Sequence, residues 1–469
     1  MATISSPGIG SGLDVSSIIT SLMAIERKPL DNLETAEKSI QTQISEIGKV
    51  KSALSKLRDA SSKLTSSTFW AQTTGKSSDA AVSVTTGGSA AAGTYSVQVT
   101  SLAAAQSIAS PTFASKDATL SAGTLHIELG TWGTNQTSFT PKAGATAVDV
   151  TVEATDTLAT VRDKINAAGA GVTAAILNDA SGARLVIRSK DTGAANAFRT
   201  TVAPTGGALD GLGYDPSAGV NGATRAQAAA DAVATINGLA VRSASNTMTD
   251  VVDGVTLTLN AVTTSAATVT VAADTEAIKT TLKDFAKAYS ELTTLIATDT
   301  KYDATAKKAG PLQGDGAVTG LLNRLRSTLG RTSGAASAFT RLSDVGFEQQ
   351  RDGTLTVNET RLNKALTDLT SLKAAFSANV ADASLDGFAT RFREMADEVL
   401  GADGSLTTRA QGLADKLDRN QDAQDRLEER LAQTQARLEK QYSDLDARLG
   451  ALNSLSSYVT QQVTTWNKG

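Results

Sequence analysis

Three stretches of this 469-residue chain hold residue types whose spacing could do chemistry. The first is the opening, where Gly8, Gly10 and Gly12 precede an apolar run. A phosphate-cradling loop needs glycine at fixed offsets after a strand, or Gly-Lys-Ser/Thr, because backbone N–H groups must close on the anion. Here Leu13 and Val15 stand where that fingerprint requires glycine, no Gly-Lys-Ser/Thr occurs, and no strand precedes the segment. The second is His126, the one histidine. With no cysteine and no second histidine, a zinc site is short of nitrogen and sulfur ligands. His126 alternates with Leu125 and Ile127 beside Glu128, which reads as the solvated face of a strand. The third comprises two acidic turns, "GDG" (314–316) and "RDGTLTVNE" (351–359). Neither has the ligand spacing of a calcium loop, and turn chemistry accounts for their carboxylates. No catalytic, metal-ligating or cofactor-binding residue is assigned, no cofactor is expected, and the chain reads as a non-enzyme.

Composition narrows the class further. A formal net charge of −4 supplies no basic field for nucleic acid. No apolar stretch reaches the length of a membrane span, so no membrane insertion is expected. A cleaved secretory signal places basic residues ahead of its apolar core, whereas Arg27 here follows it. Without cysteine, stability must come from packing or assembly. Aromatics at 4% predict thin cores, with burial concentrated in long helices or against partner subunits. The seven prolines leave 30–110 and everything after 311 free to form long helices.

Both ends use that freedom. Leu33, Ile40, Ile47 and Leu54 repeat every seven residues, with Ala36, Val50, Leu57 and Leu64 as companions and Gln43 as a break. This predicts one amphipathic helix from about Asp31, its candidate cap, to Leu64. Near the other end Leu417, Leu431, Leu438, Leu445, Leu452, Val459 and Trp466 share one register, interrupted by Gln424 and supported by Leu413, Leu427 and Leu455. Such a repeat implies a left-handed coiled coil. Two heptad helices at opposite ends of one chain satisfy each other by pairing, which brings both termini to one end of a stalk.

The middle has strand periodicity. Val82, Val84, Tyr95, Val97 and Val99 alternate with Ser, Thr and Gln, and "GTLHIEL", "VDVTV", "VTAAIL" and "RLVIR" continue the pattern. Leu158, Val161 and Ile165 predict a short helix behind Asp156, the stretch 203–223 reads as a Gly/Pro-rich linker or boundary, and Asn237–Gly238 reads as a hairpin turn. From Asp274 the helical period returns, with further helices expected at 317–330, 358–380 and 384–400.

The sharpest signal lies at the termini. Asp14 is the one charge before Glu26, and nothing is charged from Leu449 to Asn467. Within these stretches sit Leu13, Ile18, Ile19 and Leu22, then Leu452, Leu455, Val459, Val463 and Trp466. A solvent-facing coil normally carries charge around such a stripe, so neutral flanks suit a helix surrounded by other subunits. The expected assembly interface is therefore these residues together with Leu33, Ile40, Ile47, Leu54, Leu431, Leu438 and Leu445.

The resulting expectation is an α+β multidomain protein: a terminal coiled-coil stalk and helix bundle, with two nested β-rich domains in the middle. The divisions are a flexible leg tip (1–30), an N-terminal coil helix (31–72), an inner β domain (73–106 and 233–273), an inserted outer β domain (107–232), a helical bundle (274–405) and a C-terminal coiled-coil leg (406–469).

"GIGSGLDVSSIITSLMAIERKPLDNLE" resembles the N-terminal signature of the flagellar filament-capping, or hook-associated protein 2, family. "LNSLSSYVTQQVTTWNK" resembles that family's terminal helix, and "AGTYSVQVTSLAAAQSIAS", "INGLAVRSASNTMTDVVDGVTLTL" and "LSDVGFEQQRDGTLTVNETRLNKAL" are similar to its internal segments. The part least like the family is 107–232, a variable outer domain. The resemblance implies export through the flagellar type III channel with an export chaperone, and an extracellular place at the filament tip. It also implies a ring-like homo-oligomer, a pentamer, in contact with flagellin and the hook–filament junction proteins. Legs would reach into the growing tube, β domains would form a lid, and exported flagellin would be retained and folded into place. Some members adhere to host mucin, so a stalked adhesin, with 107–232 as its active part, is the rival reading.

Overall fold

The computed structural model of the protein describes residues 14–467. Helix α1 (Val15–Glu26) starts at Asp14, whose carboxylate accepts from the Ser17 N–H at 2.9 Å. Helix α2 (Lys28–Thr65) follows after Arg27, with Pro29 in the first turn, where a missing N–H removes no helical bond. Two expectations change here. Residues 15–26 form a helix rather than part of a flexible tip, and α2 begins ahead of Asp31, which lies in its first turn instead of capping it. A short helix α3 (Ser67–Trp70) ends this segment, with Trp70 Nε1 donating to the Leu64 carbonyl at 2.7 Å.

Residues 71–274 form a compact unit of their own. Its inner core lies between a five-stranded sheet, ordered 73–77, 267–273, 93–101, 232–236 and 239–243, and a three-stranded sheet of 247–252, 255–259 and 82–86. Val82, Val97, Val99, Ala234, Leu257 and Val269 fill it. Asn237 and Gly238 both take positive φ (48° and 84°), the conformation a two-residue hairpin turn demands. The strands between Ser107 and Gln227 enclose a second core around Ile108, Leu125, Ile127, Leu185 and Phe198, covered by α4 (Leu158–Ala167). Where the chain passes between the two, fully buried Gln106 donates to the Phe198 carbonyl at 2.6 Å and accepts from Trp132 Nε1 at 3.0 Å.

Two local readings are corrected in this unit. Thr157, not Asp156, caps α4, because its hydroxyl accepts from the Thr160 N–H while Asp156 pairs with Lys164 and with the Glu153 N–H. The stretch 203–223 is no linker. It buries Leu209, Leu212 and Tyr214 in the outer core, and its glycines serve close packing. A Cβ on Gly222 would lie 1.8 Å from the Asp210 carbonyl oxygen.

The remaining helices are α5 (Thr275–Thr300), α6 (Gly316–Gly330), α7 (Leu342–Val345), α8 (Glu359–Ala365), α9 (Leu369–Ser377), α10 (Phe388–Leu400) and α11 (Ser405–Trp466). The expected 358–380 helix is two, because Asn358 caps the first and Asp368 the second, through the Arg361 and Ser371 N–H groups. The expected 384–400 helix starts at Phe388. Helix α2 packs on α5, α10 and α11 and buries Ile40, Ile47, Val50, Leu54, Leu57 and Leu64. The core is not thin: five of the ten phenylalanines, 285, 347, 376, 388 and 392, stack edge-on in it, with Phe285 and Phe392 5.2 Å apart. The fold is thus α+β and multidomain, a helical bundle built from both ends of the chain with nested β-rich domains inserted between Trp70 and Thr275.

One buried carboxyl of the bundle titrates abnormally. Asp299, at the end of α5, is 6% exposed and its Oδ2 lacks a hydrogen-bond partner. Burial first, then the neighbouring Glu46 carboxylate, raise its pKa above the ordinary 3.8, against the opposing pull of Lys49. A carboxyl raised in the folded state favours the folded state when protonated. Its contribution is complete below the unfolded value and is lost as pH rises through the folded value. Asp299→Asn is therefore expected to raise the bundle's thermal midpoint at pH 8, with the advantage over wild type shrinking as pH falls toward 4 in circular dichroism melts.

Candidate assembly interface

The chemistry-bearing residues occupy structural roles. His126 Nδ1 lies 2.5 Å from Asp149 Oδ1 across paired strands, a partner that the spacing along one strand could not reveal. Asp315 caps α6 through the Ala317 and Val318 N–H groups and accepts from Arg409 Nε at 2.6 Å. Asp352 accepts from the Thr354 N–H and hydroxyl within its turn. Among the described residues no group of three potential metal ligands converges, and no helix is long and apolar enough to cross a membrane.

The terminal helices carry the interface candidates. Helix α1 runs antiparallel along α11, with Val15 and Ser16 beside Gln435–Ser443 and Arg27 and Leu30 beside Glu428 and Leu431. Val15, Ile19, Met23 and Leu30 pack on Leu427 and Leu431, with Leu33, Leu438 and Tyr442 at the margin. Farther along, the Gln424 that interrupts the heptad meets α2: Gln424 and Gln421 donate side-chain amides to Glu37 at 2.9 and 3.2 Å. These donors, Gln424 first, hold the Glu37 carboxylate below its usual pKa. These bonds join the polar edges of the two helices, where Glu37 and Gln424 are half-buried and Gln421 is exposed.

The sequence-derived residues divide into four groups. Ile40, Ile47 and Leu54 are buried in the bundle, where α5 and α10 share them with α11, so this stretch is more than a two-stranded coil. Ile19 and Leu431 are buried in the α1–α11 seam, with Ile18, Leu33 and Leu438 half-buried there or beside it. Leu22 is 37% exposed, and Leu445, Leu452, Leu455, Val459, Val463 and Trp466 are exposed, Trp466 at 84%, outside every core among the described residues. Leu13 lies outside the described residues. Val15, Met23, Leu30 and Tyr442 were not anticipated, although 15, 19 and 23 fall at successive four-residue steps and Leu30 lies seven beyond Met23.

The last turns of α11 satisfy their own polar groups. The hydroxyls of Ser454, Ser457, Thr460, Thr464 and Thr465 donate to carbonyls four residues back, at 2.6–2.9 Å. A hydroxyl already bonded within its helix costs little to take out of water. With no charge from Leu449 to Asn467, every side of this segment is suited to contact with protein.

Family models described as flagellar hook-associated protein 2 N-terminus and C-terminus match residues 11–106 and 229–454, and one described as flagellin hook IN motif matches 124–191. The chain is 33% identical to flagellar hook-associated protein 2 of Escherichia coli K12 over 98% of both chains. It is 32% identical to the B-type flagellar hook-associated protein 2 of Pseudomonas aeruginosa PAO1, over 98% of this chain and 97% of the relative. The crystal structure of the D1–D2–D3 domains of the E. coli flagellar cap protein matches with a TM-score of 0.60 at 31% identity, covering 79% of this chain and 99% of that one. All are flagellar proteins. The chain belongs to the flagellar hook-associated protein 2 family, a family of structural cap proteins.

The two halves of α11 should respond differently to charge. Leu431→Asp places a carboxylate in the α1 seam, and is expected to cost on the order of 3 kcal/mol of local stability. Hydrogen exchange at Val15–Leu30 should rise accordingly. Val459→Asp, on an exposed position, should leave exchange and thermal midpoint of the free protein unchanged.

Proposed function

We propose that this chain caps the distal tip of the bacterial flagellar filament as an extracellular homo-oligomer, where it retains exported flagellin and assists its folding into the tube. The observation that carries the reading is the uncharged end of α11, with an exposed apolar stripe flanked by internally bonded hydroxyls. Such a helix end needs surrounding protein, and the flagellar cap proteins among its relatives supply the context. Its mechanism involves no bond chemistry. The terminal helices act as legs that exchange packing partners as each flagellin inserts, and the β-rich middle acts as the lid. A marginal seam is what permits the exchange, since contacts worth little individually are broken and remade at low cost.

Finer features rest on the family resemblance alone: a ring of five subunits, contact with flagellin and the hook–filament junction proteins, delivery by an export chaperone, and adhesion to host glycans or mucin. Deleting residues 452–469 is expected to give short or absent filaments with monomeric flagellin in the medium, seen by electron microscopy and by blotting of culture supernatants. Normal filaments with lost surface adhesion would overturn the cap reading in favour of a stalked adhesin.

A further inference from the structure

The charges of α11 between Asp415 and Arg437 sort by face. Asp415, Asp418, Asp422, Asp425 and Glu429 recur at alternating steps of three and four residues, a spacing that keeps side chains on one side of a helix. Lys416, Arg419, Arg426, Arg430 and Arg437 share a second side, with Ala423 in the gap between Arg419 and Arg426. At 3.6 residues per turn the two lines are centred roughly 90° apart around the helix. Glu428, the remaining charge of this stretch, turns toward α1 and lines the groove beside Arg27 and Leu30.

Nothing among the described residues answers these charges. All ten side chains of the two lines are exposed, and both lines lie off the buried line of Leu413, Leu427 and Leu431. None of the ten forms an ion pair among the described residues, although Asp415 and Arg419, and Asp422 and Arg426, stand four residues apart on one helix. Asp415 accepts from the Gln411 amide at 2.8 Å and Glu429 from the Gln433 amide at 3.5 Å, which leaves most of each carboxylate to solvent. Two lines of opposite sign, each unanswered, complement each other but cannot meet on a single straight helix.

We propose that α11 lies side by side with α11 of a second copy of this chain, the acidic line of one against the basic line of the next. The inference rests on the homo-oligomer reading and names one of its contacts. The two lines occupy the same stretch of helix, so parallel copies meet without an axial shift. Each copy offers a different line to each neighbour, so the contact is heterologous and repeats by rotation until it closes. A closed ring of four to six copies has interior angles of roughly 90–120°, near the separation of the two lines. Exposed ion pairs are individually weak, so the lines set orientation and choice of neighbour more than strength of binding. That suits helices that must release one packing partner and take another.

The test follows self-association of the full chain by sedimentation velocity over a concentration series at low and high sodium chloride. Association of the wild type is expected to weaken as salt rises. Asp418→Lys with Asp422→Lys makes both lines basic, and Arg419→Glu with Arg426→Glu makes both acidic. All four positions are exposed, so circular dichroism should show each variant folded. Each variant alone should associate about tenfold more weakly than wild type, and an equimolar mixture of the two should recover most of the loss. Only a contact between copies gives that recovery, since charges acting within one helix are unaffected by mixing. Loss without recovery on mixing, or association unchanged in both variants, would overturn the pairing and leave the homo-oligomer reading intact. A wild type that stays monomeric at every concentration would overturn both.

Discussion

The burial of α2 is the constraint on which the rest of the molecule depends. A single amphipathic helix of this length cannot hide Ile47, Val50, Leu54, Leu57 and Leu64 by itself, and each is fully buried in a core where α2 packs chiefly on α5, α10 and α11. All three come from beyond Thr275. The chain must therefore close on itself before its first long helix is stable, and whatever lies between the two parts becomes an insertion. The same closure sets α1 along α11 and leaves the rest of α11 uncovered.

Along α11 the environment changes in steps. Leu406 and Leu413 are buried in the bundle, Leu427 and Leu431 in the seam with α1, Leu438 is half-buried, and from Leu445 the apolar side chains are exposed. The seven-residue register is the same throughout, so the gradient arises from what stands opposite the helix. Charge follows the gradient: Arg409 clamps Asp315 near the base, Glu37 meets Gln421 and Gln424 above it, and the end is neutral. Charged contacts to other elements thus lie where the helix is held, and from Leu449 to Asn467 the helix carries no charge.

Both long helices, the strand alternation of the middle and the Asn237–Gly238 turn could be read from sequence because each rests on a local period or a local backbone demand. What escaped depended on contacts across the fold. The glycines of 203–223 looked like punctuation, yet Gly222 is there because the Asp210 carbonyl leaves no room for a Cβ. Asp156 and Thr157 are both good caps, and the contacts of Asp156 with Lys164, about two helical turns on, and with the Glu153 N–H decide between them. Helix α1 was obscured by its neutral composition, since periodicity is hard to see in a segment that is apolar on more than one face. Of the candidate interface, the heptad positions were legible, while their division into bundle core, seam and bare helix was not, because the register carries no information about which helices stand opposite.

The strands that begin and end the β-rich unit are neighbours: Thr73 faces Ala273, and the Asp274 N–H donates to the Gln72 carbonyl at 2.9 Å. The same device recurs one level in, where Ala104 and Ala230 bond to each other in both directions at the neck of the outer domain. Each neck brings its two strands to the spacing of an ordinary hairpin, so the loop-closure entropy of the long segment beyond it is offset at the neck rather than in the host. The middle of this chain is consequently a cassette within a cassette. Either could be exchanged for a longer, shorter or unrelated sequence at its stem while the host kept its register, which makes each inserted segment mechanically independent of the strands that carry it.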